Sequence, residues 1–186
     1  MKNVIPILLV LLVLILSCKK ETHEPTAVNL ISNSSFETAI HDTSFQSWTS
    51  TVFSPGPADQ PMPPLELNAP PGGGNWSMFL VPLWLPEEGF AETNITGQNG
   101  NHVYQLSTWM KNFNWMGSMS LQQWLNGLKI SEKQLIDSSF VWKQFAFYDT
   151  LSLLPTDTLC IHLSAGTSEV ISGKVWFDLV NLKLVN

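Results

Sequence analysis

The chain contains no arginine: all nine of its cationic residues are lysine, set against fifteen carboxylates, for a net charge of −6 over 186 residues. That excludes recognition of nucleic acid or phosphate through guanidinium forks, and the acid excess repels polyanions in general. Uncharged ligands fit this balance better. Charged residues are scarce at 13%, and cysteine is limited to Cys18 and Cys160. The longest apolar run, Val4 to Leu16, is thirteen residues, short of the roughly 20 that a spanning helix needs. No segment sustains helical spacing of apolar residues. The four histidines have no metal-ligand spacing, and no Gly-x-Ser-x-Gly elbow, phosphate loop or Cys-His pair is present. Glycoside hydrolysis can draw its two carboxylates from distant positions, which leaves Glu66, Glu92 and Asp149 as bare candidates; the expectation is a protein that is not an enzyme.

What the chain does have is apolar mass. Apolar residues make up 44% and eight residues are Trp, enough for one domain around a single core. Lys2, the apolar run, Ser17 and Cys18 form a secretion signal. Its ILSC ending resembles the lipobox of bacterial lipoproteins, in which the Cys is lipidated and becomes the new N-terminus. The resemblance implies a signal peptide over residues 1–17, lipidation at Cys18 and a tether over 18–28, which is polar, carries Pro25 and lacks periodicity. Lys19, rather than Asp, follows the Cys, which implies retention at the outer membrane. Cys160 then has no partner for a disulfide and, within the apolar run TLCIHL, is expected as a small buried hydrophobe.

From Asn29 to Asn186 the pattern is that of many short strands. NLISNSSF, residues 29–36, and FQSWTSTVF, residues 45–53, are expected as the first two. Residues 54–74 hold seven prolines and four glycines, so this stretch runs over the surface as a long loop. WLPEE, residues 84–88, is expected as at most a turn of helix. Strands then recur as WSMFLV, GFAETNI, HVYQLSTWMK, SMSLQQWL, GLKIS, WKQFAFYDTL, TLCIHLSA and KVWFDLVNLKLV. Asn126-Gly127 marks a two-residue hairpin, whose turn needs positive φ at both positions. HVYQLSTWMK alternates strictly, with Tyr104, Leu106, Thr108 and Met110 on a core face and Gln105, Ser107, Trp109 and Lys111 on the other. The expected fold is all-β: an antiparallel sandwich of about 8–10 strands, with no long helix beyond the signal segment.

Four patterns stand in order: NLISNSSFE, GFAETNITGQNGNHVYQLSTWMK, VWKQFAFYDTL and KVWFDLVNLKLV. Together they resemble the galactose-binding-like jelly rolls, and most closely the CenC-type carbohydrate-binding modules. The match falls on Asn29, Asn33, Phe36 and Glu37, on Tyr104, Leu106, Ser107, Trp109 and Lys111, on Trp142 and on Asp178, and covers residues 29–186. The resemblance implies a structural calcium where the first and last strands meet, held by Glu37 and Asp178 with backbone carbonyls. A carboxylate inside VWFDLVNL needs a partner in any case, and the alternatives are a backbone-capping role or an ion pair with Lys174 or Lys183.

Sugar recognition asks for flat aromatic faces together with amides and hydroxyls. Gln105, Trp109 and Lys111 supply that mixture, joined by Gln122 and Trp124, and by Gln144 and His162, if those strands neighbour HVYQLSTWMK in one sheet. Trp109 and Trp124 could instead fill the space between the sheets. Trp48, Trp142 and Trp176 are assigned to core, and Trp76, Trp84 and Trp115, beside Gly, Pro or Asn, to loop tips. The reading is a noncatalytic, lipid-anchored envelope protein that binds carbohydrate or another surface polymer. The alternative is a structural or adhesion lipoprotein that binds a protein partner.

Overall fold

The computed structural model describes residues 27–38, 47–50, 65–81, 83–84, 88–168 and 173–185. Residues 1–26, on which the expected signal peptide, Cys18 and most of the expected tether fall, lie outside the described residues. Among those described, eleven strands follow one another: β1 Thr49–Ser50, β2 Leu65–Glu66, β3 Ser77–Leu80, β4 Leu83–Trp84, β5 Gly89–Thr96, β6 Gly100–Phe113, β7 Gly117–Leu125, β8 Leu128–Asp137, β9 Lys143–Leu153, β10 Asp157–Ser168 and β11 Lys174–Val185. One sheet has the order β1-β5-β10-β7-β8, with β4 running parallel to the end of β10; the other has the order β2-β3-β11-β6-β9. Every other pairing is antiparallel. The expected all-β sandwich is therefore what forms.

The alternation along β6 builds the core. Tyr104, Leu106, Thr108 and Met110 are all fully buried, and they meet Val175, Phe177 and Leu182 of β11 and, from the other sheet, Met119, Leu121, Leu159, Ile161 and Leu163. Each such side chain removed from water contributes about 1.5–3 kcal/mol. The two polar members of the stripe are satisfied: Thr108 Oγ1 donates to the Asp178 carbonyl at 2.9 Å, and Tyr104 Oη accepts from the Gln98 amide at 3.1 Å. Cys160 is buried as expected. Asn126 and Gly127 both take positive φ, 52° and 79°, and close the β7–β8 hairpin from Leu125 to Leu128.

Three expectations change. NLISNSSF is not a strand: Asn33 and Phe36 have φ of 48° and 56°, which breaks extension, and the segment instead lies along β11. Asn29 fastens it there, its Oδ1 accepting from Ile31 and Leu182 and its Nδ2 donating to the Val180 carbonyl. Phe36 is driven into the core, 5.4 Å from the ring of Trp48. Residues 54–74 are not loop throughout, because Leu65–Glu66 form β2 and pair with β3. Of FQSWTSTVF only residues 47–50 are described: Trp48 makes a bridge, Thr49–Ser50 form β1, and the rest of that expectation lies outside the described residues. GLKIS is only the start of β8, which continues to Asp137 with charged and polar side chains exposed because it is an edge strand. Most of WLPEE lies outside the described residues.

Leu106 lies at the centre of this packing, so Leu106→Ala should lower unfolding free energy by about 3 kcal/mol in urea titration with little change in the denaturant slope.

Candidate functional site

On the outer face of the β1-β5-β10-β7-β8 sheet, directly paired residues point the same way and form rows. One row is Glu92, His162, Ser120 and Gln134; the next is Asn94, Cys160, Gln122 and Glu132; the third is Thr96, Thr158, Trp124 and Lys129. Side chains of unequal length along these rows leave a groove between them. Two adjoining cavities of about 290 and 400 Å³ occupy it, and both are bounded by Trp124 and Glu92. A third, of about 500 Å³, continues past Glu92 and Asn94 toward β1.

The groove is held by its own hydrogen bonds. Trp124 Nε1 donates to Gln122 Oε1 at 3.0 Å, Gln122 Nε2 to Glu132 Oε1 at 2.9 Å, and Lys129 Nζ to Glu132 Oε2 at 2.6 Å. Burial pushes the Glu132 carboxyl up, but the bonds from Lys129 and Gln122 outweigh it and hold that group below its ordinary value. His162 stacks on Phe90 with ring centroids 5.6 Å apart, its Nε2 3.0 Å from Glu88 Oε1 and its Nδ1 3.6 Å from Glu92 Oε2. Burial, reinforced by the Glu92 charge, pushes the Cys160 thiol up to about 12, so it is a structural thiol and not a nucleophile.

The structure separates the residues expected to act together. Gln122, Trp124 and His162 line this groove, whereas Gln105, Trp109 and Lys111 project from β6 on the outer face of the other sheet, across the core. Of the proposed companions, only Gln144 shares their face, opposite Trp109. The reason is the Asn114–Met116 connection, which carries the chain from one sheet to the other where a hairpin would have kept β7 beside β6. Part of the β6 face is occupied, while Gln144 and Tyr148 of β9 stay exposed on it. Gln105 Nε2 donates to Tyr148 Oη at 2.9 Å. Lys111 Nζ sits 5.1 Å from the Trp176 ring. Glu66, at the end of β2, accepts from Trp176 Nε1 at 2.6 Å and from Lys174 at 3.4 Å, and Asn68 beyond it accepts from Trp142 Nε1 at 3.4 Å, so the end of β2 and the segment after it border this face. Trp176 is thus buried on an outer face under that segment, and Trp142 is half-buried beside it, while Trp48 is a true core residue.

That same segment ends against Glu37 and Asp178. Glu37 Oε1 accepts from the amides of Asn75 and Trp76 at 2.9 and 2.8 Å. Asp178 is fully buried; its Oδ1 accepts from Leu179 N at 2.6 Å, and its Oδ2 has no hydrogen-bond partner. Neither Lys174 nor Lys183 bonds it among the described residues, and Lys174 is paired with Glu66. Burial pushes the Asp178 carboxyl up to about 7, the Leu179 amide pulls it back and Glu37 adds to the rise. Gly73 and Gly74 are part of the construction: a Cβ on the first would overlap Asp178 Oδ2 and one on the second, at φ 81°, the Glu37 carboxyl. An orphaned carboxylate oxygen beside a second carboxylate is donor chemistry that suits a hard cation. Among the described residues no three His, Cys, Asp or Glu side chains converge, so backbone carbonyls would complete such a shell.

Several of these residues escape a reading of the sequence. Glu88, Asn94, Lys129 and Glu132 acquire a role only once β5 and β8 are placed at the sides of β10 and β7. The period-two spacing of Glu92 and Asn94 in GFAETNIT was the available signal.

Two stacked antiparallel sheets on one core, with a groove along one outer face, define a β-sandwich of the jelly-roll class. No protein-family model and no curated protein matches the chain. Among solved structures it is similar to the carbohydrate-binding module TmCBM61, in a complex with β-1,4-galactotriose, at a TM-score of 0.51 and 13% identity over 86% of this chain and 100% of that one. It is similar to the CBM22-2 xylan-binding domain of Paenibacillus barcinonensis Xyn10C at a TM-score of 0.50 and 12% identity, covering 77% and 94%. It is similar also to the enzymatically active domain of bacteriophage CBA120 tailspike protein 4, at a TM-score of 0.55 and 14% identity over 85% of this chain, which spans only 22% of the tailspike chain.

The folded protein holds the Asp178 proton more tightly than the unfolded chain does, where the group keeps its ordinary value of 3.8. In chelator, the contribution of this group to stability is therefore complete below about pH 4 and is lost as pH rises to about 7. Melting temperatures measured across that range for the protein and for Asp178→Asn should diverge, the unmodified protein losing ground to the variant as pH rises.

Proposed function

We propose that the mature chain is a noncatalytic protein of the cell envelope, anchored in the outer membrane by a lipid on Cys18, that binds carbohydrate in the groove beside Trp124. The observation that carries this reading is the Trp124 indole. It is half-buried between two cavities and held by Gln122, Glu132 and Lys129, an apolar plate set among amides, hydroxyls and carboxylates. That mixture suits a pyranose, whose ring face is apolar and whose rim is polar. The likeness in fold to a module bound to galactotriose and to a xylan-binding domain supports the same reading. The inert Cys160 and the mutual pairing of the groove's charged groups support a noncatalytic site.

Calcium at Glu37 and Asp178 belongs to this proposal as a structural ion. It would relieve the like-charge pair and supply the partner that Asp178 Oδ2 lacks. Its place, where the N-terminal segment, the Gly72–Gly74 turn and β11 meet, is remote in role from the groove, so its effect is on stability.

One observation favours a protein partner as a second reading. Phe113, Met116, Phe140 and Val141 are each more than half exposed, and the Asn112 amide donates to the Ser139 carbonyl at 2.8 Å, which sets these two connections side by side as an apolar patch.

A glycan array probed with residues 19–186 tests the main reading. Trp124→Ala should weaken binding about thirtyfold, the roughly 2 kcal/mol typical of losing an aromatic anchor, with the melting temperature preserved. Trp109→Ala should leave binding intact. An empty array, with one stable protein recovered by pull-down, would transfer support to the second reading. Equilibrium dialysis should detect one calcium, with a melting temperature that falls in chelator; no change in either measurement removes the ion from the proposal.

A further inference from the structure

The charged wall of the groove carries information about which carbohydrate can enter. Glu88 and Glu92 reach into it from β5 and the residue before it, His162 and Cys160 from β10, and Lys129 and Glu132 from β8, while β7 contributes only uncharged side chains. Three carboxylates thus face one lysine and one histidine, and the lysine is already bound to Glu132. In the cavity of about 400 Å³ the amide donors are committed too: Gln122 Nε2 to Glu132 and Ser120, and Gln134 Nε2 to Ser118. Glu88 Oε2 and Glu92 Oε1 take no hydrogen bond from the described residues. What remains open is therefore mostly acceptor.

We propose, on the basis of the carbohydrate reading above, that the groove selects neutral glycan chains and rejects uronic-acid and sulfated ones, with Glu88, Glu92 and Glu132 as the residues that discriminate. A sugar hydroxyl both donates and accepts, so it satisfies open carboxylate oxygens. A uronate or sulfate group only accepts, and brings a like charge into a half-enclosed space where repulsion is screened less than on an open surface. The absence of arginine from the whole chain removes the side chain best suited to holding such groups in compensation.

The test uses residues 19–186 against matched pairs of immobilised polymers: galactan with polygalacturonate, mannan with alginate, and dextran with dextran sulfate. The expected result is that each neutral polymer bound is held at least about tenfold more tightly than its acidic counterpart. For the acidic polymers, binding should improve on raising salt from about 0.05 to 0.5 M, as screening of repulsion requires. The ratio of neutral to acidic binding should collapse toward one in Glu88→Gln/Glu92→Gln/Glu132→Gln. Wild-type protein that holds an acidic polymer as tightly as its neutral partner overturns the inference and leaves carbohydrate binding standing. So does a folded triple variant that keeps the wild-type ratio. Should the triple variant fail to fold, the salt series on wild type decides alone, and acidic binding that weakens as salt rises overturns the inference. Binding to none of the polymers, neutral or acidic, overturns the carbohydrate reading and this inference with it.

Discussion

The pairing of β6 with β11 is the constraint on which the rest of the structure depends. These two strands lie at the middle of one sheet, run antiparallel from Lys174–Phe113 to Val185–Val103, and supply a large part of the inner surface against which the second sheet packs. The ladder is interrupted once, between Asp178 and Asn181, where Leu179 takes φ 49°. An irregularity in a central pairing bends the strand and re-aims its side chains. Here it frees the Val180 amide to donate to the Ser34 carbonyl, and its carbonyl to accept from Asn29. The N-terminal segment is thus docked by the defect in β11, and Phe36 and Trp48 can close the core beneath it.

The same irregularity explains the buried acid. Asp178 points outward by register, as Trp109 opposite it does, yet it is fully buried because the turn at Gly72–Gly74 covers it. Three consecutive glycines, which look like simple flexibility in the sequence, are a packing requirement at two of their positions, where carboxylates lie against the main chain. A buried carboxylate with one unsatisfied oxygen is expensive, and the Asp178 proton held to about pH 7 is the form that expense takes when no cation is supplied.

The sequence displayed the core more clearly than the site. Tyr104, Leu106, Thr108 and Met110 could be placed because strand periodicity assigns residues to faces without reference to any other strand, and Asn126-Gly127 because its turn is local. Trp109 and Trp124 could not be related to each other in that way. Periodicity says which residues share a side of one strand but not which sheet the strand joins, and the Asn114–Met116 crossing that separates the two tryptophans has no local signature. NLISNSSF misled for a related reason: its apolar spacing fits a strand, but Asn29 supplies by side chain the hydrogen bonds that a ladder would have supplied by main chain. Glu37 and Asp178 were found through their positions in a resembling pattern, while Gly73 and Gly74, which make room for them, were hidden in a loop.

The described end of the proline-rich segment takes up part of one outer face. That end, residues 65–74, pairs with β3 through Leu65–Glu66 and then borders the β11–β6 face, where Glu66 and Asn68 take up the indole N–H groups of Trp176 and Trp142. Those aromatics are consumed by the chain itself. Among the described residues nothing comparable covers the centre of the opposite face, and its polar groups bond mainly to one another: Trp124 to Gln122, Gln122 to Glu132, His162 to Glu88, Ser118 to Ser164. A surface whose side chains are already fixed loses little conformational freedom on binding, which matters most for ligands such as sugars whose individual contacts are weak. On the proposed carbohydrate reading, the groove is prepared for its ligand by the same internal pairing that leaves its remaining oxygens as acceptors, so readiness and selectivity would have one origin.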